Sequence, residues 1–311
     1  IICSKSNLLN GVNTVSKAVP SKTTMSILEC ILIDASKGQI TLTANDMELG
    51  IETVIDGEII EKGIIALDAK IFLEMVRKLP DNDVTIETDP SYKAIITCEK
   101  AKYNIIGKSG EDFSALPQIE KSDSILLTQF TLKEVIRQTS FSIADNFTNK
   151  ILTGELFEIN ENVLKVVSSD GLRISLRKIE LKNDYGNKKV IVPGKTLNEI
   201  SKILPGDADK DVSIYFTAKH VIFEFDNTTV VSRLIEGTYF KIDQMLSSDY
   251  ETKISINKKE FLNCIDRATL LVKEGDKKPI IITIKDNNME LIINSVVGSM
   301  NENIEINKEG K

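Results

Sequence analysis

Five segments of the chain place apolar residues at helical spacing, and shorter stretches between them alternate apolar and polar residues like strands. Three of the five share one pattern: Ser6 to Val19, Thr131 to Ile143 and Asn257 to Leu270. Each opens on a residue whose side chain can accept from free first-turn amides, which makes Ser6, Thr131 and Asn257 the expected N-caps. Glu134 and Glu260 follow three residues after the second and third, as in a capping box. An apolar pair comes next in all three: Leu8 with Leu9, Val135 with Ile136, and Phe261 with Leu262. These pairs recur at offsets of 127 and 126 residues, so the chain repeats itself.

The other two helical segments form a second repeat inside the first two units. Ile64 to Pro80 leads into the strand-like Val84 to Glu87, and Val190 to Pro205 leads into Val212 to Tyr215. Ile71, Phe72, Met75, Val76 and Leu79 mark one helix face, and Leu197, Ile200, Ile203 and Leu204 mark the other. A proline stops each helix, and the two prolines lie 125 residues apart. A strand ending in a polar turn repeats as well: Ile40 to Asp46 matches Leu164 to Asp170, and more loosely Leu291 to Ser295. The pattern predicts an α+β chain of three repeated domains, at residues 1–124, 125–248 and 249–311, each built from two half-units of one helix with strands. By the repeat length, the third is about half present. The chain starts on Ile1 instead of Met, which reads as a trimmed start.

Charge adds to this picture through its distribution. The 311 residues carry a net charge of −7. The five helices with their leading lysines hold 12 cations and five anions, a net of +7, so the remainder carries −14. Helices gathered on one surface would form a positive lining on an acidic body. Such a lining attracts phosphates without reading bases. The competing reading is that these lysines simply solvate exposed helix faces.

No run of about 18 apolar residues spans a membrane, and Ile1 to Lys5 is too short and polar for a signal peptide. The four cysteines are far apart and lack C-x-x-C spacing, which fits buried thiols in a cytoplasmic protein. The single histidine, His220, lies in a turn-and-strand setting that suits a structural role. Asp46 and Asp170 invite a carboxylate-pair reading for acid–base chemistry, but their repetition at strand ends favours a structural Asx turn. No nucleophile, base and orienter come together, and no phosphate loop or zinc motif is present. The residues therefore call for no catalytic group, no metal and no cofactor.

Ser169-Asp170-Gly171-Leu172-Arg173-Ile174, preceded by Leu152-Thr153-Gly154, resembles the central-domain signature of bacterial DNA polymerase III β subunits. Val192-Pro-Gly-Lys195, Glu111 to Pro117 and Gly237-Thr-Tyr239 are also similar to that family, in the same order along the chain. The resemblance implies a DNA sliding clamp: a processivity factor, with two subunits joined head to tail in a ring around duplex DNA. Helices would line the hole and sheets would form the wall. It implies sequence-independent contact with double-stranded DNA, a homodimer, and partners including the clamp loader, DNA polymerases and repair proteins that dock through short peptides.

By resemblance, the DNA contacts fall on Lys22, Arg77, Lys78, Asn146, Lys195 and Lys202, with Lys22 and Asn146 replacing other polar types. The partner-peptide pocket falls on Leu152, Ser169, Gly171, Leu172, Arg173, Ile174, Phe240 and Met245. Phe240 stands where the family usually has proline, and Leu172 where a polar residue is frequent. The dimer interface falls on Tyr103 and Ile105 of one subunit and Leu270 and Leu271 of the other. Core packing competes as an explanation for Leu152, Ile174 and the interface residues. Two other classes stay open from the residues alone: a repeat-built protein scaffold without a DNA role, and a hydrolase using Asp170.

Overall fold

The computed structural model describes residues 1–117, 119, 124–145, 149–245, 249–272 and 278–310. It divides into two compact units, Ile1–Tyr239 and Phe240–Lys311.

In the first unit, the first repeat runs β1 (Ile2–Ser4), α1 (Lys5–Val15), β2 (Cys30–Asp34), β3 (Ile40–Asn45), β4 (Leu49–Ile55), β5 (Ile64–Asp68), α2 (Ala69–Lys78), β6 (Asp83–Thr88), β7 (Lys93–Cys98), β8 (Ala101–Ile106) and β9 (Lys108–Ser109). The second repeat runs β10 (Ile125–Thr128), α3 (Gln129–Thr139), β11 (Gly154–Asn160), β12 (Val163–Ser169), β13 (Ile174–Glu180), β14 (Asn187–Pro193), α4 (Gly194–Ile203), β15 (Asp211–Phe216), β16 (His220–Phe225) and β17 (Thr228–Arg233). The pairing is antiparallel throughout. The strands of this unit, among the described residues, form four-stranded sheets ordered β1-β6-β7-β8 and β13-β12-β11-β14, and a nine-stranded sheet ordered β10-β15-β16-β17-β4-β3-β2-β5-β9.

The orders expose the repeat. β1-β6-β7-β8 corresponds to β10-β15-β16-β17, and β4-β3-β2-β5 corresponds to β13-β12-β11-β14. The repeats fuse where β17 of the second pairs with β4 of the first, with Val230 opposite Ile51 and Val231 opposite Gly50. Helices bury one stripe each against these sheets. Leu8, Val12, Phe72, Val76, Leu132, Ile136, Leu197 and Ile200 are almost fully buried in one continuous core. Gly11 allows that closeness on α1, since a Cβ there would lie 2.6 Å from the Ile55 side chain.

The helix starts correct two sequence expectations. Ser4 and Thr128, not Ser6 and Thr131, cap α1 and α3, accepting from Asn7 N and Thr131 N. In both cases the last residue of the preceding strand serves as the cap, so strand and helix join without a loop. Glu134 consequently lies outside any capping box. Asn257 caps the third helix as expected, accepting from Lys259 and Glu260 N–H groups. Both proline stops hold, with α2 and α4 ending one residue before Leu79 and Leu204.

The second unit contains β18 (Thr252–Ile256), α5 (Lys258–Thr269), β19 (Ile281–Ile284), β20 (Asn288–Asn294) and β21 (Ser299–Gly310). Its sheet is ordered β18-β21-β20-β19, so the run β21-β20-β19 matches β4-β3-β2 of the first repeat. Cys264, Met289, Leu291, Ile304 and Ile306 form its core.

Candidate functional site

The strand-end aspartates come first because they shape the site around them. Asp46 Oδ1 accepts from the N–H groups of Glu48 and Leu49 at 3.0 and 2.6 Å. Asp170 Oδ1 accepts from Leu172 N and Arg173 N at 3.0 and 3.1 Å. Both close Asx turns. The Leu172 N–H, together with the Arg173 contacts, holds the Asp170 carboxyl below the usual carboxylate range. Such a group stays ionised and is poorly suited to taking up a proton near neutral pH.

The Asp170 turn holds several of the residues that the resemblance assigns to a partner pocket. Gly171 has φ +90°, a left-handed conformation that glycine reaches without strain. Ser169 is buried, with its hydroxyl donating to Arg173 O at 2.8 Å and accepting from Gly171 N–H at 3.0 Å. The Arg173 guanidinium donates to Asp170 Oδ2 at 3.0 Å and to Phe141 O at 2.8 Å, and lies 5.6 Å from the centre of the Phe141 ring. Leu172 is pushed out, 97% exposed. Leu152 and Ile174 are half-buried. Phe240 and Met245 belong to the second unit, where Phe240 is half-buried and Met245 exposed.

Leu172 and Arg173 line a cleft of about 1240 Å³ that also takes in Phe141, Lys150, Lys195, Lys202 and Arg233. Leu152, Ser169, Gly171 and Ile174 are not among its lining residues. A second cleft, of about 690 Å³, is lined by Asn7, Asn10, Asn13 and Lys17 from the first repeat and by Lys202 from the second. Arg77 reaches Asn13 Oδ1 at 3.3 Å, which draws α2 to the same surface. The structure thus gathers Lys17, Arg77, Lys195 and Lys202 around the junction of the two repeats. Lys22 and Lys78 are exposed but line neither cleft. Asn146 lies outside the described residues.

Several of the helix cations are already paired. Arg77 pairs with Glu74 at 2.7 Å, Arg137 with Glu134 at 2.7 Å, and Lys202 with Glu199 at 2.8 Å. Lys195 pairs across the repeats with Asp46. The first three pairs sit at a three-residue helical spacing that the sequence carries openly. The fourth joins residues 149 positions apart and has no such signal. Phe141, Lys150 and Arg233 were also outside the sequence-based set; the clustering of Phe141 with Arg173 depends on folding alone.

Tyr103 and Ile105 stand on β8, an edge strand, opposite the buried Ile96 and Ala94. They therefore continue a core face to the rim of the sheet. Leu270 is 81% exposed at the end of α5, and Leu271 is half-buried. All four cysteines are free thiols and buried. His220 is partly buried at the start of β16, and burial, with Arg233 and Lys219 nearby, pushes its pKa down. No helix among the described residues is long and apolar enough to cross a membrane.

Known proteins resemble this chain along almost all of its length. Residues 1–117 match the N-terminal domain family of the DNA polymerase III beta subunit, and residues 126–241 match its central domain family. The beta sliding clamp of Staphylococcus aureus is 36% identical over 308 residues, covering 96% of this chain and 81% of that protein. The solved Bacillus subtilis DNA polymerase sliding clamp is 35% identical with a TM-score of 0.94, covering all of this chain and 84% of that one. A Eubacterium rectale structure, solved as a candidate DNA polymerase III beta subunit, is 74% identical with a TM-score of 0.97, covering all of this chain and 85% of that one. The chain belongs to the DNA polymerase III beta subunit family, and its role is that of a DNA sliding clamp, a tether and not a catalyst.

Proposed function

We propose that two copies of this chain close a ring around duplex DNA, with β8 of one copy meeting the third repeat of the other. The observation that carries this reading is the β17–β4 junction. β8 holds in the first repeat the place that β17 holds in the second, and β21 holds in the third repeat the place of β4. The joint that fuses repeats one and two could therefore recur between copies, with Tyr103 and Ile105 on one side and Leu270 and Leu271 on the other. A closed ring would also protect the exposed β8 edge from indiscriminate pairing.

Inside the ring, Lys22, Arg77, Lys78, Lys195 and Lys202 would meet phosphates, together with Asn146, whose place in the structure is outside the described residues. Such contacts are sequence-blind and weaken with salt. The Leu172–Arg173 turn, with Leu152, Ser169, Gly171 and Ile174, would take short peptides from a clamp loader, polymerases and repair proteins. Apolar anchors that become buried on binding supply much of the affinity in such sites. This reading carries the repeat bounds near residues 124 and 248, and places the protein in the cytoplasm.

The test joins assembly to retention. Sedimentation equilibrium should show a dimer that Ile105→Asp converts to monomer. The assembled protein should stay on circular duplex and leave when the circle is cut. Equal retention on circular and linear DNA would exclude the ring, and unchanged DNA behaviour after joint neutralisation of Lys22, Arg77 and Lys195 would favour a scaffold without a DNA role.

A further inference from the structure

Three of the cations placed at the DNA, Arg77, Lys195 and Lys202, come with their own counterions. Arg77 and Lys202 each sit three residues after a glutamate on the same helix, at 2.7 and 2.8 Å. Lys195 meets Asp46 from the other repeat. Two of these carboxylates are fixed in place. The Asp46 side chain is 7% exposed, and its second oxygen is held by two backbone N–H groups, so it cannot swing away from Lys195. The Glu199 side chain is 17% exposed, while Lys202 remains 55% exposed above it. The cations thus keep a face toward solvent while their charge is already answered from below.

We propose that Asp46, Glu74 and Glu199 act as built-in counterions that keep Lys195, Arg77 and Lys202 weakly engaged with duplex DNA. The inference rests on the placement of those cations at the DNA, argued above. Its physics is exchange. A free lysine that meets a phosphate displaces a condensed ion from the duplex, and this release supplies much of the binding free energy. A lysine already paired to a carboxylate must share or surrender that partner, which takes back part of the gain. Exposed pairs of this kind are themselves weak. Moving between carboxylate and phosphate then changes the free energy little in either direction. A clamp that slides needs contacts that are made and broken with little resistance, and three cations that each have a carboxylate to return to provide that.

The experiment measures binding of a short linear duplex across a range of salt concentrations for three proteins. One is the chain itself. The second carries Asp46→Asn, Glu74→Gln and Glu199→Gln; asparagine at 46 retains the acceptor oxygen that closes the turn. The third carries Glu61→Gln, Glu87→Gln and Glu180→Gln, exposed strand and loop residues that give the same change in net charge. The second protein should bind about ten-fold tighter near 0.1 M salt, with a steeper dependence of log K on log salt by roughly one to two counterions, as expected when two or three cations are released to the phosphates. The third should change by less than about two-fold, since the ion-pair partners of Arg77, Lys195 and Lys202 are left in place. Should Asp46→Asn disturb folding, the Glu74→Gln, Glu199→Gln pair alone should show a smaller gain of the same sign. Tightening no greater than in the third protein overturns the counterion role. If joint neutralisation of Arg77, Lys195 and Lys202 also leaves binding unchanged, the DNA-facing placement fails instead and the counterion role falls with it.

Discussion

Glu155 is the least expected carboxyl in the chain, and its titration should be visible in stability. It lies fully buried on β11, facing the same side as Phe157 and Ile159. Its Oε1 has no hydrogen-bond partner, and Oε2 is 2.9 Å from Thr139 Oγ1. That hydroxyl is also 2.8 Å from Val135 O, and it has one proton. When the proton serves the Val135 carbonyl, Glu155 must be protonated and donate to Thr139. Burial pushes the Glu155 carboxyl up to about 8, with the Thr139 contact acting in the opposite sense. The Tyr239 phenol is raised too, by burial first and then by the nearby Glu155 charge. The sign follows from which state binds the proton: an acid raised in the folded state favours folding at low pH. The stabilisation is complete below the ordinary value of 4.5, declines as pH rises, and is gone above about 8. At about 1.4 kcal/mol per pH unit the whole interval corresponds to about 5 kcal/mol, and local relaxation around the charge should reduce the observed change to roughly 2–4 kcal/mol. Glu155→Gln supplies a neutral isostere. Urea unfolding from pH 5 to 9 should find the two proteins alike at pH 5, with the variant progressively more stable toward pH 9. A difference that stays constant over that range would refute the buried neutral acid.

Gly154→Ala should cost about 1–3 kcal/mol in urea unfolding, because its Cβ would lie 2.6 Å from the Val192 carbonyl oxygen, a backbone atom that cannot step aside. Leu172→Asp should leave unfolding within about 0.5 kcal/mol of the parent, since the side chain touches almost nothing, yet abolish capture of a short peptide with apolar anchors measured by fluorescence anisotropy. The four thiols should ignore Ellman's reagent at pH 8 in the folded protein and all react in urea, because each is buried and Cys3 is pushed by burial up to about 11. Rapid labelling of any thiol in the folded protein would contradict that packing.

What could be read from the residues was whatever depends on neighbours in sequence. The repeat offsets, the proline stops and the Asx turns at Asp46 and Asp170 are all local, and they survive folding. The N-caps of α1 and α3 were misplaced by two and three residues because two candidate hydroxyls flank each start; the choice is made by where β1 and β10 end, which is a matter of sheet pairing. The odd place of Glu155 is written in the alternation of β11, which puts a carboxyl on the parity of Phe157 and Ile159. Alternation alone, however, does not say that both faces of that strand are covered. The Lys195–Asp46 pair was out of reach for a stronger reason. It exists only because β17 pairs with β4, and nothing in either strand's composition marks it as the joining one. The same holds for the clefts at the repeat junction. A duplicated chain can display its units in its periodicity while hiding the seams between them, because the seam residues answer to a partner repeat more than a hundred positions away. In the proposed ring those seams would carry the function: the joint used once within the chain would serve as the template for a joint between chains, and the charges brought together beside it would set how firmly DNA is held.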